Sequence, residues 1–445
     1  MPDPHAFVIL GGTGDLAARK LLPALHAVDA PDQRIVGVGT TDHDDTSYRA
    51  WAADALREAG EPGDIEAWCE RLEYLRIPRE RFDLSGMADL VADEANRIFY
   101  LALPPHLFED AIRAIHDAGL DRTDGWRRLV VEKPFGTDAA SAAELDEAVK
   151  LCFSEEETFR IDHFLGKETV RNLLAFRFAN PVFESVWNRD RVERVEITVA
   201  ESGGVDHRGR YYDRAGVVRD MVQNHLTQIL CLVAMEPPVR FEAEAIRDEK
   251  LKVLRAIEGV DAVTHGQYGA GPGGEVAYRD EEHIPDDSTT ATFVEASFEI
   301  DNWRWKGVPF VVRTGKRLPE TVSRVDIHFH APPVQLFSDL DEDCDPDPNV
   351  LAITLQPDEG FDLSFDVKRP GNGMDIESRT LGFRYAEAYG PLPDAYETLV
   401  EDVLEGDQTL FVRADEVSES WRIWEPVADP DGPPEVYPAG EWPDR

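Results

Sequence analysis

Residues 6–25, AFVILGGTGDLAARKLLPAL, place an apolar run of strand length before a glycine cluster and then apolar residues at helical spacing. That order reads as strand, tight turn and helix. Further apolar strands are expected at RIVGVG (34–39), RIFYLALPP (97–105) and RRLVVEKPFG (127–136). Helical patterns such as LFEDAIRAIHDAGL lie between them, and this alternation predicts a parallel sheet with crossover helices.

Beyond about residue 165 the pattern changes. RVEITVAE, TATFVEASFEI, SRVDIHFH, LAITLQPD and GFDLSFDVKRP alternate apolar and polar residues, as antiparallel strands with one covered face do. One long helical stretch, VRDMVQNHLTQILCLVAME, is apolar enough to lie against such a sheet. The expected architecture is α/β: a Rossmann-type dinucleotide-binding domain over 1–165, then an α+β domain over 166–445 with a large, mainly antiparallel sheet. A chain of 445 residues is long enough for two cores.

Charge narrows the function classes. The chain carries 46 basic and 88 acidic residues, a net charge of −42. The acids are scattered among ordinary elements, and the clearest acidic loop is 338–349. A solvated surface is the plain reading; carried this far, it points to a salt-rich cytoplasm, where screening relieves self-repulsion. No basic stripe is available for nucleic acid. No apolar run long enough to span a membrane occurs, and the N-terminus lacks a signal-peptide pattern. Cys69, Cys152, Cys231 and Cys344 lie far apart without metal-ligand spacing, so buried thiols are expected rather than a metal site or a disulfide.

Gly12, Gly14 and Ala17 fit the G-x-G-x-x-G/A pattern, in which glycine lets the backbone approach a pyrophosphate at a helix N-terminus. The end of the second strand then chooses the cofactor. Between Arg34 and Arg49 the sole basic residue is His43, and Asp42, Asp44 and Asp45 would repel a 2′-phosphate. This favours NAD, unless the acids belong to the general surface and a distant cation serves. His225 shares a helical face with Met221, Val222, Ile229 and Leu232; it fits equally a satisfied core histidine and a general base. Glu201 ends its strand in phase with Val195, Ile197 and Val199. Lys133 follows an apolar strand at the edge where α/β sheets bind ligands, and Lys316 follows a strand and a glycine in a setting that suits a phosphate. Each also fits an ordinary ion pair or turn. In RIDHFLGKE (160–168), Asp162 and His163 are adjacent and would point apart in an extended segment, so each needs a partner from elsewhere.

GGTGDLAARKLLPAL, YLALPP, EKPFG, RIDHFLGKETVRNLLAFRFAN, RDMVQNHLTQILCLVAMEPP, EIDNWRWKGVPFVVRTGKRLP and GDQTLFVRADEVSESWRIWEP occur in one order across nearly the whole chain. Together they resemble the glucose-6-phosphate dehydrogenase family. The resemblance implies hydride transfer from C1 of glucose 6-phosphate to NAD or NADP, giving 6-phosphogluconolactone. It implies His225 as general base, Asp162 as its orienting carboxylate, and His163 and Lys167 as phosphate ligands. Lys133, Glu201, Asp220, Lys316 and Gln356 would hold the sugar or its phosphate, and Lys20 would lie near substrate and cofactor. Gly11, Gly12, Thr13, Gly14, Asp15, Leu16, Thr40 and Lys133 would line the cofactor site. It also implies a dimer or dimer of dimers through the large sheet.

Three positions depart from the family pattern. Phe164 replaces a tyrosine and loses a hydroxyl donor, Thr40 replaces the arginine of NADP-using members, and Thr321 replaces a basic residue, with Arg317 and Arg324 near enough in sequence to compensate. Rival readings are a dehydrogenase of a related sugar phosphate and a non-catalytic sugar-phosphate sensor; retention of His225, Asp162 and Lys133 disfavours the sensor.

Overall fold

The computed structural model describes residues 3–79, 81–334, 336, 348–372 and 374–443. Cys344 and residues 338–347 of the acidic loop lie outside these; Cys69, Cys152 and Cys231 are buried thiols. The chain forms two compact units. The first comprises Met1–Lys167 with Val239–Arg247 and Pro393–Ser418, and the second comprises Glu168–Pro238, Asp248–Leu392 and Glu419–Arg445.

In the first unit, β1 (His5–Leu10), β2 (Gln33–Gly39), β3 (Leu72–Arg76), β4 (Asn96–Leu101), β5 (Arg127–Val131) and β6 (Thr158–Arg160) form one parallel sheet in the order β3-β2-β1-β4-β5-β6. The reversal of direction at β1 creates a crevice at the C-terminal strand ends, where such sheets bind ligands. Two of these strands went unread in the sequence. β3, LEYLR, is short with two charged residues in five, and β6 has three residues; neither carries enough periodicity to register. All six residues of β1 are buried, as a central parallel strand requires.

The first unit is not one continuous segment. Tyr396, Leu399, Val400, Val403, Leu404 and Phe411 join the hydrophobic cluster of Phe7, Ile9, Val130, Phe159 and Ile161. The helix that carries most of them, Ala395–Glu405, starts at an Asp394 capping box and ends at Gly406 in the left-handed conformation. Its last carbonyls are capped by Arg128, which donates to Val403 O at 2.6 Å and Leu404 O at 2.8 Å.

The second unit is built on a nine-stranded sheet. Its strands are β7 (Val192–Ala200), β8 (Ala262–Gly269), β9 (Phe293–Glu299), β10 (Pro309–Gly315), β11 (Val322–Phe329), β12 (Val350–Gln356), β13 (Gly360–Lys368), β14 (Ile376–Arg384) and β15 (Glu435–Pro438). They lie in the order β14-β13-β12-β11-β7-β10-β9-β8-β15. All pairs are antiparallel except β7 with β10 and β8 with β15. The apolar helix expected at 218–236 is present over Val218–Ala234, but its first part, Val218–Leu226, is π-helical, and regular α-helix begins at Thr227. Its C-terminal carbonyls are capped from other elements. Arg177 donates to Leu232 O (2.8 Å) and Met235 O (2.9 Å), Trp187 to Val233 O (2.8 Å) and Trp305 to Ala234 O (2.8 Å).

Leu399 is 1 % exposed within the first unit's core. Leu399→Ala is expected to cost about 2–5 kcal/mol, read as a lowered denaturation midpoint in urea at molar KCl; an unchanged midpoint would show that segment 393–418 does not stabilise this unit.

Candidate active site

The glycine turn after β1 is dictated by close backbone approach. Gly11 N and Gly12 N both donate to Val38 O, at 2.8 and 2.9 Å, and Gly14 N donates to Gly11 O at 2.9 Å. Gly11 has φ +95°, and a Cβ on it would meet Ala102 O at 2.1 Å; one on Gly12 would meet Gly37 Cα at 2.7 Å. These two glycines therefore hold the turn against β2 and β4. Gly14 is less crowded, with its nearest such contact at 3.2 Å, and it faces a cleft.

That cleft, about 380 Å³, is lined by Gly11, Thr13, Gly14, Val38, Gly39, Thr40, Ala102, Leu103 and Arg79, among others. It lies at the β1 switch point, and its turn leads into a helix, as a dinucleotide pyrophosphate requires. The residues thus fit an NAD(P)-type cofactor. Asp15 and Leu16 are not among the lining residues; Asp15 is exposed and Leu16 packs against the hydrophobic cluster.

Lys20 lies in a π-helical segment, Ala17–Leu21, and donates to Asp394 Oδ2 at 2.7 Å. Asp394 in turn caps the helix that follows it. Lys133 follows β5 and is half-buried, next in sequence to the half-buried Glu132. Glu132 accepts from Tyr100 Oη at 2.5 Å and Tyr396 Oη at 3.1 Å. Burial pushes its carboxyl above the ordinary range, the two hydroxyls and the Lys133 charge draw it back, and the Asp162 charge pushes it up.

RIDHFLGKE is not extended past Ile161. Asp162 is 1 % exposed, and its Oδ1 accepts from Phe164 N at 3.0 Å. Leu165 N donates to Asp162 O and Lys167 N to Phe164 O, so residues 162–167 form consecutive turns. The Lys167 ammonium lies 4.3 Å from the Phe164 ring centroid, and the His163 ring meets the same phenyl edge-on at 5.0 Å. Phe164 thus carries no donor but supplies a face for the Lys167 cation. Gly166 is required by packing, since a Cβ would meet Ala395 O at 2.6 Å and Leu399 Cγ at 2.8 Å.

The second unit gathers the remaining candidates. Lys316 Nζ donates to Glu201 Oε2 at 2.5 Å and lies 5.1 Å from the Tyr212 ring centroid. The loop holding them is tied by Glu201 N to Gly315 O and Leu318 N to Glu201 O, both 3.0 Å. Thr321 is structural here, since its hydroxyl accepts from Ser202 N at 3.0 Å. Arg317 and Arg324 pair with Glu281 and Asp326, so neither is a simple substitute for the basic residue. Asp220 and His225 are buried on the π-helical segment. Asn224 Oδ1 accepts from His225 N at 2.6 Å, and Thr227, which donates to Val222 O, accepts from Trp424 Nε1 at 2.8 Å. Gln356 ends β12, paired with Ser323.

Tyr212 was missed in the sequence. Its buried hydroxyl has no hydrogen-bond partner among the described residues. Burial, then the Asp220 charge, push its pKa well above that of an ordinary phenol, so the hydroxyl stays protonated. The one available signal was the aromatic pair in GRYYDR, which by itself reads as core.

Two family models match in tandem, the glucose-6-phosphate dehydrogenase NAD binding domain over residues 8–172 and the C-terminal domain over 174–445. The chain belongs to the glucose-6-phosphate dehydrogenase family. It is 44 % identical to glucose-6-phosphate 1-dehydrogenase of Mycolicibacterium smegmatis, covering 98 % of this chain and 94 % of that protein. It is 43 % identical to the Rhizobium meliloti enzyme of the same name, over 96 % and 90 %. Among solved structures, it is similar to a glucose-6-phosphate dehydrogenase in complex with its substrate glucose 6-phosphate, at TM-score 0.92 and 36 % identity, covering all of this chain and 96 % of that one. Family membership and the glycine cleft together assign an NAD(P)-binding N-terminal domain.

Gly11→Ala is expected to strain the turn by about 1–3 kcal/mol from its positive φ and to abolish dinucleotide binding, measured as lost enhancement of reduced-nicotinamide fluorescence. Unaltered binding would mean that the turn does not shape the cleft.

Proposed function

We propose that this chain oxidises glucose 6-phosphate at C1 to 6-phospho-glucono-1,5-lactone, the first step of the oxidative pentose phosphate route, using NAD or NADP. The supporting observation is the Lys316–Glu201 pair beside Tyr212, in a chain that matches both family domains along their length. A bound nicotinamide ring would accept the hydride from C1.

In this reading His225 takes the proton of the C1 hydroxyl. Asp162 orients its imidazole and stabilises the imidazolium, as the family resemblance implies. Each of the two side chains is buried within its own unit. His163 and Lys167 offer donors to the sugar phosphate, and Lys133, Glu201, Asp220, Lys316 and Gln356 hold the sugar. Lys20 lies near substrate and cofactor. Gly11, Gly12, Thr13, Gly14, Thr40 and Lys133 belong to the cofactor site, Asp15 and Leu16 lying off its lining, and Thr40 in place of arginine supports NAD.

Residues 1–165 would bind the dinucleotide, and 166–445 the substrate and a second copy. Half-buried β13 and exposed β14 at the edge of the large sheet support that association. No helix among the described residues is long and apolar enough to cross a membrane, and the −42 net charge supports work in a salt-rich cytoplasm.

An assay at molar KCl following reduced-nicotinamide absorbance with glucose 6-phosphate tests the function, and no signal with either dinucleotide would overturn it. His225→Asn is expected to lower kcat by about 10²–10⁴ with substrate binding retained; normal turnover at saturation would make His225 structural. Dialysis into dilute buffer is expected to abolish activity and the folded circular-dichroism spectrum, whereas full retention of both would sink the high-salt reading.

A further inference from the structure

The stretch after β2 contains no arginine or lysine before Arg49, but the fold brings cations to it from another strand. β3 runs parallel to β2 with Arg76 as register partner of Gly39, and Ile77 N donates to Gly39 O at 2.8 Å. The chain leaving β3 therefore stays beside Thr40 and Thr41. Tyr74 Oη donates to Thr41 O at 3.2 Å, and the Thr41 and Thr13 hydroxyls lie 2.9 Å apart. The mouth of the cleft at this point, about 450 Å³, is lined by Thr40, Arg76, Ile77, Pro78 and Arg79. Arg79 also lines the deeper cleft with Gly11, Thr13 and Gly14.

The three acids that read as repulsive in the sequence have other work. Asp44 caps the helix Asp45–Ala59, accepting from Ser47 N. Asp45 Oδ1 accepts from Tyr74 N at 2.8 Å. Asp42 pairs with Arg76 at 2.5 Å, which removes much of its field from the cleft. Of the arginines here, Arg81 pairs with Asp83, whereas Arg79 is exposed and has no hydrogen bond or ion pair among the described residues. An uncommitted guanidinium lining the same cleft as Thr13 and Thr40 is chemically suited to a phosphate.

In a doubly wound sheet, a dinucleotide with its pyrophosphate on the glycine turn puts its adenosine ribose at the end of β2, here Gly39–Thr40. We propose that Arg79, assisted by Arg76, is the cation for the 2′-phosphate of an NADP-type dinucleotide, so that the chain accepts both dinucleotides although Thr40 supplies no charge. This rests on the dinucleotide-binding reading above. It moves the specificity determinant from the end of β2 to the segment after β3.

Titration calorimetry with adenosine 2′,5′-bisphosphate and adenosine 5′-monophosphate separates the two claims without turnover. Wild type is expected to bind the bisphosphate more tightly. Arg79→Ala should weaken that binding by about 10-fold to 100-fold and leave the monophosphate unchanged, which also shows that the variant is folded. Asp42→Asn, which releases Arg76, should strengthen bisphosphate binding. Equal wild-type affinity for the two ligands, or an Arg79→Ala effect equal on both, would overturn the Arg79 assignment while leaving dinucleotide binding intact. Failure of wild type to bind either ligand would overturn both.

Discussion

One close approach organises the first unit: the start of helix Ala395–Glu405 against Gly166. Ala395 O and Leu399 sit where any Gly166 side chain would be, so the turn carrying Asp162, His163 and Lys167 is pressed onto a helix from far along the chain. The same helix anchors the other loops. Asp394, at its cap, holds Lys20, and Tyr396 reaches Glu132 beside Lys133. Leu399, Val403 and Leu404 supply the hydrophobic burial that makes these polar contacts persist. Three segments distant in sequence thus meet one helix.

The second unit solves a related problem by different means. His225 and Asp220 lie on a π-helical segment, a backbone form that occurs mainly as short interruptions of α-helices and often at functional sites. Such a segment needs support at both ends. Trp424 and Ser420 bond Thr227 and Gln223 from the side, while Arg177, Trp187 and Trp305 take the carbonyls at the helix C-terminus. The fully buried Arg177 and tryptophans explain themselves here: each has its polar group on a helix end that cannot reach water.

Much of this was legible from local pattern. The strand, glycine turn and helix at the N-terminus, the parallel β1, β2, β4 and β5, and the change to alternating strands after about residue 165 all follow from periodicities of 2 and 3.6 residues. What escaped was whatever periodicity does not encode. β3 and β6 are too short or too charged, the π-helical turns look like ordinary helix, and Tyr212 reads as core. The role of Phe164 as a face for Lys167 is likewise invisible, because it depends on a turn that folds the two together. Thr321, read as a lost cation, proves to be a cap for Ser202.

By itself the sequence determined the class of the two sheets and the family, and it nominated the candidate side chains, because those rest on local spacing and on strings in fixed order. Only the tertiary structure decided which segments share a core and which charges stand beside each other. Helix Ala395–Glu405 joins the first unit, and Arg76 and Arg79 come to the end of β2, through strand register and hydrophobic packing between residues distant in sequence. Pairing of that kind depends on which surfaces remain to be buried once the local elements exist, and no window of neighbouring residues contains it.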